Sequence, residues 1–283
     1  MTATYIVFDI GGTNTRVGIS RDGEKLDQYE KFKTPEDPRQ GVAHVQQVAR
    51  ALCGGKTPRR AAGGIAGTFD HDRNTLLRSP HLPGWANTPI KKMLSDALGV
   101  PVSLENDSAM VALGEALCGA GKGHDIVAYI TVSTGVGGAR ITNGVIDRSV
   151  LGFEPGHQII DADGNLCPDC AKPGDLENYI SGTAIESRFG KHPKDITDQQ
   201  IWDQLADWLA YGLLNTAAHW SPDVIVLGGS MIVGSPAIPI ERTEKKLREV
   251  MKNFPSVPKI QKAQLNDIGG LLGSIEYLRK SVY

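Results

Sequence analysis

Two glycine-rich turns, each directly after a hydrophobic strand, constrain the fold of this chain most. The first spans residues 9–15 (Asp-Ile-Gly-Gly-Thr-Asn-Thr) and follows an apolar run at 4–8. The second spans residues 133–138 (Ser-Thr-Gly-Val-Gly-Gly) and follows an apolar run at 126–130. A further strand-like segment comes after each turn, which predicts a β-hairpin in each half. The repetition indicates a duplicated α/β architecture with a cleft between the halves.

The remaining pattern alternates strands and helices between and after the two hairpins. Apolar residues recur at helical spacing in several segments, and short apolar runs bounded by turn residues predict strands. Helices are predicted at 39–53, 91–98, 108–118, 200–220, 241–251 and 269–280, and further strands at 26–32, 61–66, 100–104 and 224–227.

Bulk composition excludes several classes of protein. The chain has 283 residues and a formal net charge of −2, so we expect neither a nucleic acid nor a membrane surface as partner. No apolar run approaches the roughly 20 residues that span a bilayer, and no basic segment typical of a signal peptide precedes the first strand. Four cysteines do not form a disulfide framework in a chain of this length, so we expect a reducing cytoplasm.

Both turns suit phosphate binding. Glycine allows backbone N–H groups to approach an anion closely. A plain hairpin also explains either turn alone, but two turns at corresponding places favour a phosphate site. Neither is a P-loop, since no Gly-Lys-Ser/Thr follows and a strand comes next. Asp9 ends the first strand, where a carboxylate can hold Mg²⁺ through water, and Asn14 lies just beyond the glycines.

A carboxylate for proton transfer follows the strand at 100–104, in the segment Glu105-Asn106-Asp107. Asp107 opens a predicted helix, where Asp and Asn are also favoured simply as caps. Both roles are compatible, because an Asp placed there can accept a hydroxyl proton as a phosphoryl group arrives. A third glycine turn, Gly228-Gly229-Ser230, ends a buried strand and is either a plain turn or a contact to adenosine.

A Cys-x-x-Cys segment predicts a structural zinc ion. Its four candidate ligands are His157, Cys167, Cys170 and Asp175. Structural zinc sites prefer Cys and His, so the Asp is an atypical fourth ligand. The alternative is a reduced surface Cys-x-x-Cys without metal.

Taken in order, these motifs resemble the ROK family (repressors, open reading frames, kinases) of sugar kinases, within the actin/hexokinase/Hsp70 ATPase superfamily. The resemblance extends over residues 5–275. Its motifs are residues 9–14, Ile65-Ala66-Gly67, Leu82-Pro83-Gly84-Trp85, residues 105–107, residues 134–137, Glu154-Pro155-Gly156-His157, Glu177 and Gly228-Gly229.

The resemblance implies a two-domain ribonuclease-H-like α/β fold with ATP and a hexose in the interdomain cleft. We expect a small domain over residues 1–106 with the terminal helix at about 271–283, and a large domain over 107–270. Asp107 resembles the catalytic base. Further sugar contacts implied are Gly67, Asn106, Glu154, His157 and Glu177, and the nucleotide set is Asp9, Gly11, Gly12, Thr13, Asn14, Thr134, Gly135, Gly137, Gly228 and Gly229.

The cysteine loop departs from the family pattern, Cys-x-Cys-Gly-x-x-Gly-Cys-x-Glu. Here the first pair is Cys-x-x-Cys, Ala171 replaces a glycine, and Asp175 replaces the third cysteine. If zinc is absent, salt bridges or packing must hold the loop that presents His157 and Glu177.

The sequence therefore predicts an ATP- and Mg²⁺-dependent kinase acting on the 6-hydroxyl of a hexose, glucose first, and by resemblance a homodimer. Fructose, mannose and N-acetylhexosamines remain open, and the segment 67–85, with His81 where the family often has Asn, is where we expect selectivity. The alternatives are a non-catalytic sugar sensor and a general ATPase. A DNA-binding repressor is disfavoured, because only eight residues precede Asp9.

Overall fold

Helices and strands alternate along the chain much as the sequence pattern predicts. The computed structural model describes residues 3–168, 170 and 174–280. Its strands are β1 (Thr4–Ile10), β2 (Asn14–Ser20), β3 (Gln28–Lys33), β4 (Pro58–Ile65), β5 (Thr68–Phe69), β6 (Leu76–Arg78), β7 (Val102–Asn106), β8 (Ile126–Val132), β9 (Val136–Thr142), β10 (Val145–Ile146), β11 (Val224–Gly228) and β12 (Lys259–Lys262). Its helices are α1 (Pro38–Cys53), α2 (Ile90–Leu98), α3 (Asp107–Cys118), α4 (Glu177–Ile180), α5 (Gly182–Phe189), α6 (Gln199–Trp220), α7 (Ser230–Val233), α8 (Ile240–Val250) and α9 (Gly269–Lys280).

The first hairpin is part of a five-stranded sheet with the strand order β3-β2-β1-β4-β7. Strands β1, β2 and β3 pair antiparallel, whereas β4 and β7 continue the sheet parallel to β1. Alternation along β1 gives the sheet two buried faces. Phe8 packs into the cluster that includes α1, and Val7 packs against Leu271 and Ile275 of α9.

The second hairpin is part of another five-stranded sheet built on the same plan, with the order β10-β9-β8-β11-β12. Here β8, β9 and β10 pair antiparallel, and β11 and β12 add in parallel to β8. Its core includes Leu205, Trp208 and Leu209 of α6 beside Ile225 of β11. The predicted duplication and the α/β class are thus confirmed at the level of strand order.

The chain divides into two compact units. The first comprises Met1–Cys118, Arg148–Gly152 and Asp267–Tyr283, and the second Gly119–Asp147 and Phe153–Asn266. Helix α3 belongs to the first unit, whereas the sequence-based boundary assigns residues from 107 onward to the second.

Close packing of α3 on α9 explains this difference in boundary. A side chain at Gly273 would overlap the carbonyl oxygen of Met110 in α3, so the two helices approach backbone to backbone. Residues 281–283 of the predicted terminal segment lie outside the described residues.

Across residues 3–168, 170 and 174–280, no helix has both the length and the apolar character needed to cross a bilayer.

Candidate active site

Three parallel strands of the first unit end at one edge of their sheet. Ile10 of β1 aligns with Ile65 of β4, which in turn aligns with Asn106 of β7. The Ala66 N–H donates to the Ile10 carbonyl at 2.9 Å and extends this alignment past the strand ends. The first glycine turn, Gly67 and Asp107 therefore emerge side by side, where ligands of open α/β sheets bind.

Hydrogen bonds from a neighbouring segment hold the turn at residues 11–13. Gly11 N–H donates to the Asn14 carbonyl at 3.0 Å, and Thr34 Oγ1 donates to the Gly11 carbonyl at 2.7 Å. A Cβ on Gly12 would lie 2.5 Å from His81 Cβ, so only glycine fits beneath that residue. The turn is fixed, and its glycines keep side chains away from the backbone that an anion would approach.

Asp9, near the end of β1, is a largely buried carboxyl group that pairs with Arg16. Arg16 Nη1 lies 3.2 Å from its Oδ2, while Arg16 Nη2 lies 2.8 Å from Asp267 Oδ1. Burial first, and the charge of Asp107 second, raise the pKa of Asp9 from 3.8 to about 7, against the opposing effect of Arg16. A carboxyl group in this state gains from a hard cation placed beside it, so its chemistry fits Mg²⁺.

Asp107 begins α3 and combines burial with local hydrogen bonds. Its Oδ1 accepts the Ser108 N–H at 2.8 Å, and its Cα passes 2.8 Å from where a Cβ on Gly64 would stand. Burial raises the pKa of Asp107, while the Ser108 N–H and the charge of His81 act to lower it. A carboxylate with an increased proton affinity can act as a general base.

The residues beside Asp107 hold it in place. Asn106 donates from Nδ2 to the Gly67 carbonyl at 3.1 Å and accepts the Ala109 N–H at Oδ1 at 3.2 Å, so it joins β4 to the start of α3. Glu105 Oε1 accepts from Arg73 Nε at 2.9 Å. Gly67 has φ = +135°, and a side chain there would overlap the Arg78 carbonyl. Gly67 and Asn106 therefore form one hydrogen-bonded corner beside Asp107.

In the second unit, the turn at Ser133–Gly135 is closed by a 2.8 Å bond from Ser133 N–H to the Gly135 carbonyl. The start of α5 packs on this turn. Gly182 N–H donates to the Ser133 carbonyl at 2.7 Å, and Thr183 donates to the Thr134 carbonyl from its N–H at 3.1 Å and its Oγ1 at 2.9 Å. The sequence analysis did not identify Thr183. A signal was present, because Ser181 is a typical N-cap residue and marks the start of a helix two residues before Thr183.

The third glycine turn meets the second one. Gly228 of β11 aligns with Thr131 of β8. Gly229 has φ = +86°, and a side chain there would overlap the Val132 carbonyl. Ser230 Oγ then lies 3.0 Å from Ser133 Oγ, a pairing that the sequence did not indicate. The carboxyl ends of β8 and β11 thus bring two of the predicted nucleotide turns together.

The predicted sugar ligands of the second unit cluster around the start of β9. Glu177 Oε2 accepts the Val136 N–H at 2.7 Å, and Gly156, between Glu154 and His157, packs so closely on Val136 that a side chain would overlap its carbonyl. Glu177 is therefore tied to the strand that follows the Thr134-Gly135 turn.

The zinc ligands predicted in the cysteine loop are not assembled as a metal site. Cys167 and Cys170 are joined by a disulfide, so neither presents a thiolate. His157 Nδ1 lies 3.2 Å from Asp175 Oδ2, and Asp175 Oδ1 accepts the Asn178 N–H at 2.8 Å. Among the described residues no group of three His, Cys, Asp or Glu side chains converges. These four side chains do not form a zinc site in the structure, so the predicted zinc site is not found. Ala171 lies outside the described residues.

A buried carboxylate organises the loop instead. Asp161 Oδ2 accepts from the Leu166 N–H at 2.7 Å and from the Tyr179 hydroxyl at 2.8 Å, while its Oδ1 accepts from Asn165 N–H at 3.1 Å. Burial acts to raise the pKa of Asp161, but these hydrogen bonds outweigh it and lower the pKa below 3.8. A bridge between Ile159 and Asp175 closes the base of the loop.

Comparison with known families and relatives gives a consistent result. The model of the ROK family matches residues 5–281. A glucokinase of Thermotoga maritima is 26% identical, over 97% of this chain and 96% of that protein. An N-acetyl-D-glucosamine kinase of Escherichia coli is 28% identical, over 95% of this chain and 97% of that protein.

Solved structures agree. A ROK hexokinase from Thermus thermophilus superposes with a TM-score of 0.83 at 28% identity, covering 99% of this chain and all (100%) of that one. A ROK glucokinase from Streptomyces griseus, in complex with glucose and AMPPNP, superposes with a TM-score of 0.78 at 26% identity, covering 98% of this chain and 100% of that one. These matches confirm the predicted actin/hexokinase-type fold.

Proposed function

The chain belongs to the ROK family, and we propose that it is an ATP-dependent hexose kinase that phosphorylates the 6-hydroxyl of glucose. The observation that carries the proposal is the shared edge of β1, β4 and β7, where a fixed glycine turn, Asp9 and Asp107 emerge together. Phosphoryl transfer requires a phosphate cradle, charge neutralisation and a base, and this edge offers residues suited to each.

We assign the proton transfer to Asp107. Burial raises its pKa, and its oxygen is oriented by the Ser108 N–H. In the proposed reaction it accepts the proton of the 6-hydroxyl while that oxygen attacks the terminal phosphorus of ATP. Asn106, Gly67, Glu154, His157 and Glu177 are proposed to hold the other hydroxyls, since a sugar needs several converging polar groups.

The glycine turns are proposed to bind the nucleotide. Residues 11–14 and 134–137 would receive the phosphates, and Gly228-Gly229 the adenosine. Asp9 would hold Mg²⁺, which when bound neutralises phosphate charge. Sugar binding is expected to exclude water, so that the phosphoryl group passes to the sugar and ATP is not hydrolysed.

Glucose is the first substrate proposed because relatives named as glucokinases match nearly the whole chain. A relative that acts on N-acetyl-D-glucosamine matches to a similar degree, so 2-acetamido sugars form the main alternative. His81 packs on the turn at Gly12. We propose the exchange of His81 for Asn as a test of selectivity between hexoses.

The test is ADP release from Mg-ATP in the presence of glucose, fructose, mannose, N-acetylglucosamine and N-acetylmannosamine. Strong stimulation by glucose is expected. Stimulation by another sugar alone would correct the substrate, and ADP release that no sugar stimulates would contradict the kinase.

Two further properties are proposed, the first from the family resemblance and the second from the cysteine content of the sequence. We propose a homodimer, which light scattering tests, and a cytoplasmic location, where ATP and hexoses meet.

A further inference from the structure

The guanidinium of Arg188, near the end of α5, lies against the sulfur atoms of the disulfide. Its Nη1 is 3.5 Å from Cys167 Sγ and 3.6 Å from Cys170 Sγ. The two cysteines are thus not merely near each other. They share a cationic neighbour, Arg188, that contacts both sulfurs.

No anion compensates this cation among the residues that the structure describes. Arg188 Nε and Nη2 are buried and lack a hydrogen-bond partner. Among the described residues no carboxylate forms an ion pair with Arg188. Asp161, a carboxylate of the loop, accepts a hydrogen bond from the Tyr179 hydroxyl.

Aromatic rings fix the guanidinium in this position. It stacks 4.7 Å from the centre of the Phe189 ring and 5.0 Å from that of Trp208. Burial lowers the pKa of Arg188, which reports how poorly its charge is solvated. A buried cation without a partner is costly, and any anion formed beside it is stabilised.

We propose that Cys167 and Cys170 form a redox-active pair that exchanges with dithiols, with Arg188 stabilising the thiolate of the reduced form. A cation lowers the pKa of a thiol beside it. A thiolate of lower pKa is also a better leaving group when a disulfide is attacked. This chain departs from its family at the cysteine loop, which holds a reducible disulfide where zinc would be expected. The proposal does not depend on the kinase activity and is tested without it.

The thiol–disulfide exchange proceeds in two steps. The thiolate of an incoming dithiol attacks Cys170 Sγ, because Cys170 is more exposed than Cys167. Cys170 is only partly buried, whereas Cys167 is buried with 7% of its surface exposed. The Cys167–Cys170 bond breaks, its electron pair goes to Cys167 Sγ beside Arg188, and a mixed disulfide forms at Cys170. The second thiol of the reductant then loses its proton, attacks its partner sulfur and releases Cys170. The protein gains two electrons, and the dithiol becomes a disulfide.

The experiment equilibrates the full chain in mixtures of reduced and oxidised dithiothreitol, quenches with acid and alkylates the thiols for mass spectrometry. Arg188→Gln removes the charge, Arg188→Lys keeps it, and Cys118→Ser removes an exposed cysteine outside the pair as the matched control. We expect Arg188→Gln to need about 10-fold more reductant for half-reduction, because one pKa unit of thiolate stabilisation corresponds to tenfold. Arg188→Lys and Cys118→Ser should stay within about twofold of the parent, a smaller change than that pKa unit.

A second measurement keeps the proposal falsifiable if Arg188→Gln does not fold. The alkylation rate of the reduced parent chain is followed against pH, and a thiol with a pKa well below about 8.5 is expected. Equal redox midpoints in Arg188→Gln and the parent would overturn the proposal. So would an unshifted thiol pKa, or one equivalent of zinc released from the purified chain when its thiols are blocked.

Discussion

At the residue scale, the proposed chemistry rests on two partly buried carboxyl groups at one sheet edge. Asp9 lies near the end of β1 and Asp107 begins α3, and the charge of Asp107 adds to burial in raising the pKa of Asp9. Each group has its own partner, Arg16 for Asp9 and the Ser108 N–H for Asp107. The same residue type can therefore serve two roles, cation binding and proton transfer.

Replacing Asp107 by Asn should abolish most of the catalysis and keep the sugar. The amide preserves the shape but cannot accept the proton, so kcat should fall by about 10² to 10⁴. Calorimetry should give a glucose Kd within a few-fold of the parent. Asp96→Asn, at an exposed carboxylate of α2 paired with Lys92, is the control and should leave kcat unchanged. Normal turnover in Asp107→Asn would remove it as the base.

The pKa of Asp9 sets a pH dependence of stability. Because it is raised from 3.8 to about 7 in the folded chain, its contribution is fully present below about pH 4 and is lost as pH rises through about 7. Over that window the free energy of unfolding should fall, relative to Asp9→Asn, by up to about 1.4 kcal/mol per pH unit. Urea unfolding of both chains at pH 5 and pH 8, without Mg²⁺, measures this. Parallel pH profiles would show that Asp9 is not perturbed.

At this scale the sequence identified part of the candidate site. Residues whose type and place both point to chemistry, such as Asp9 and Asp107, could be recognised because strand ends and glycine turns mark them. The contacts of Thr183 and Ser230 could not be predicted, since their partners lie 49 and 97 positions away in the sequence. Such contacts arise only once the sheet has brought the turns together.

At the scale of elements, the glycine turns are constrained by close approach as much as by conformation. Gly229 and Gly123 have nearly the same φ, +86° and +88°, but only Gly229 faces a backbone carbonyl where a side chain would stand. Gly123→Ala should cost about 1 kcal/mol for its positive φ. Gly229→Ala should cost a further 1–3 kcal/mol or so from overlap and raise the KM for ATP. Thermal unfolding of both variants tests this, and equal losses would contradict it.

Glu177, the first residue of α4 and a proposed sugar ligand, contacts β9 through the Val136 N–H. Glu177→Gln retains an acceptor oxygen for this bond, whereas Glu177→Ala leaves the N–H without it. We expect the KM for hexose to rise about tenfold in the Ala variant, equivalent to one lost hydrogen bond of about 1.4 kcal/mol, and less in Gln. Steady-state kinetics with both substrates decides, and an effect on the KM for ATP alone would contradict the role of Glu177.

The cysteine loop should keep its structure when metals are removed. Asp161 accepts hydrogen bonds from both sides of the loop, so dialysis against a chelator followed by return of Mg²⁺ should restore full activity. Asp161→Asn should lower Tm in the same buffers, because its lowered pKa shows that the hydrogen bonds favour the charged form. Activity that returns only with added zinc would refute this account of the loop.

Some elements could not be predicted for identifiable reasons. Strand β12 reads Lys-Ile-Gln-Lys and buries only Ile260, so it shows almost no hydrophobic pattern. Helices α4 and α7 have four residues each, too few for a helical period to appear. Long elements such as α6 were predicted within one residue, because their apolar faces repeat over several turns.

At the scale of the whole molecule, one strand plan is used twice. Each five-stranded sheet has three antiparallel strands, and two further strands continue it in parallel. The sequence predicted this duplication from two turns alone, because a hairpin after a buried strand is a local signal. The boundary at α3 could not be predicted locally, since it depends on packing against α9, about 160 residues later.

The most direct test of the central claim follows both products of one reaction. The chain is incubated with Mg-ATP and glucose, and ADP and sugar phosphate are quantified together, with 6-deoxyglucose as the matched control that lacks the acceptor hydroxyl. We predict equal amounts of ADP and glucose 6-phosphate, and no phosphorylated product from 6-deoxyglucose. ADP without a phosphorylated sugar, or phosphorylation of 6-deoxyglucose, would contradict the account.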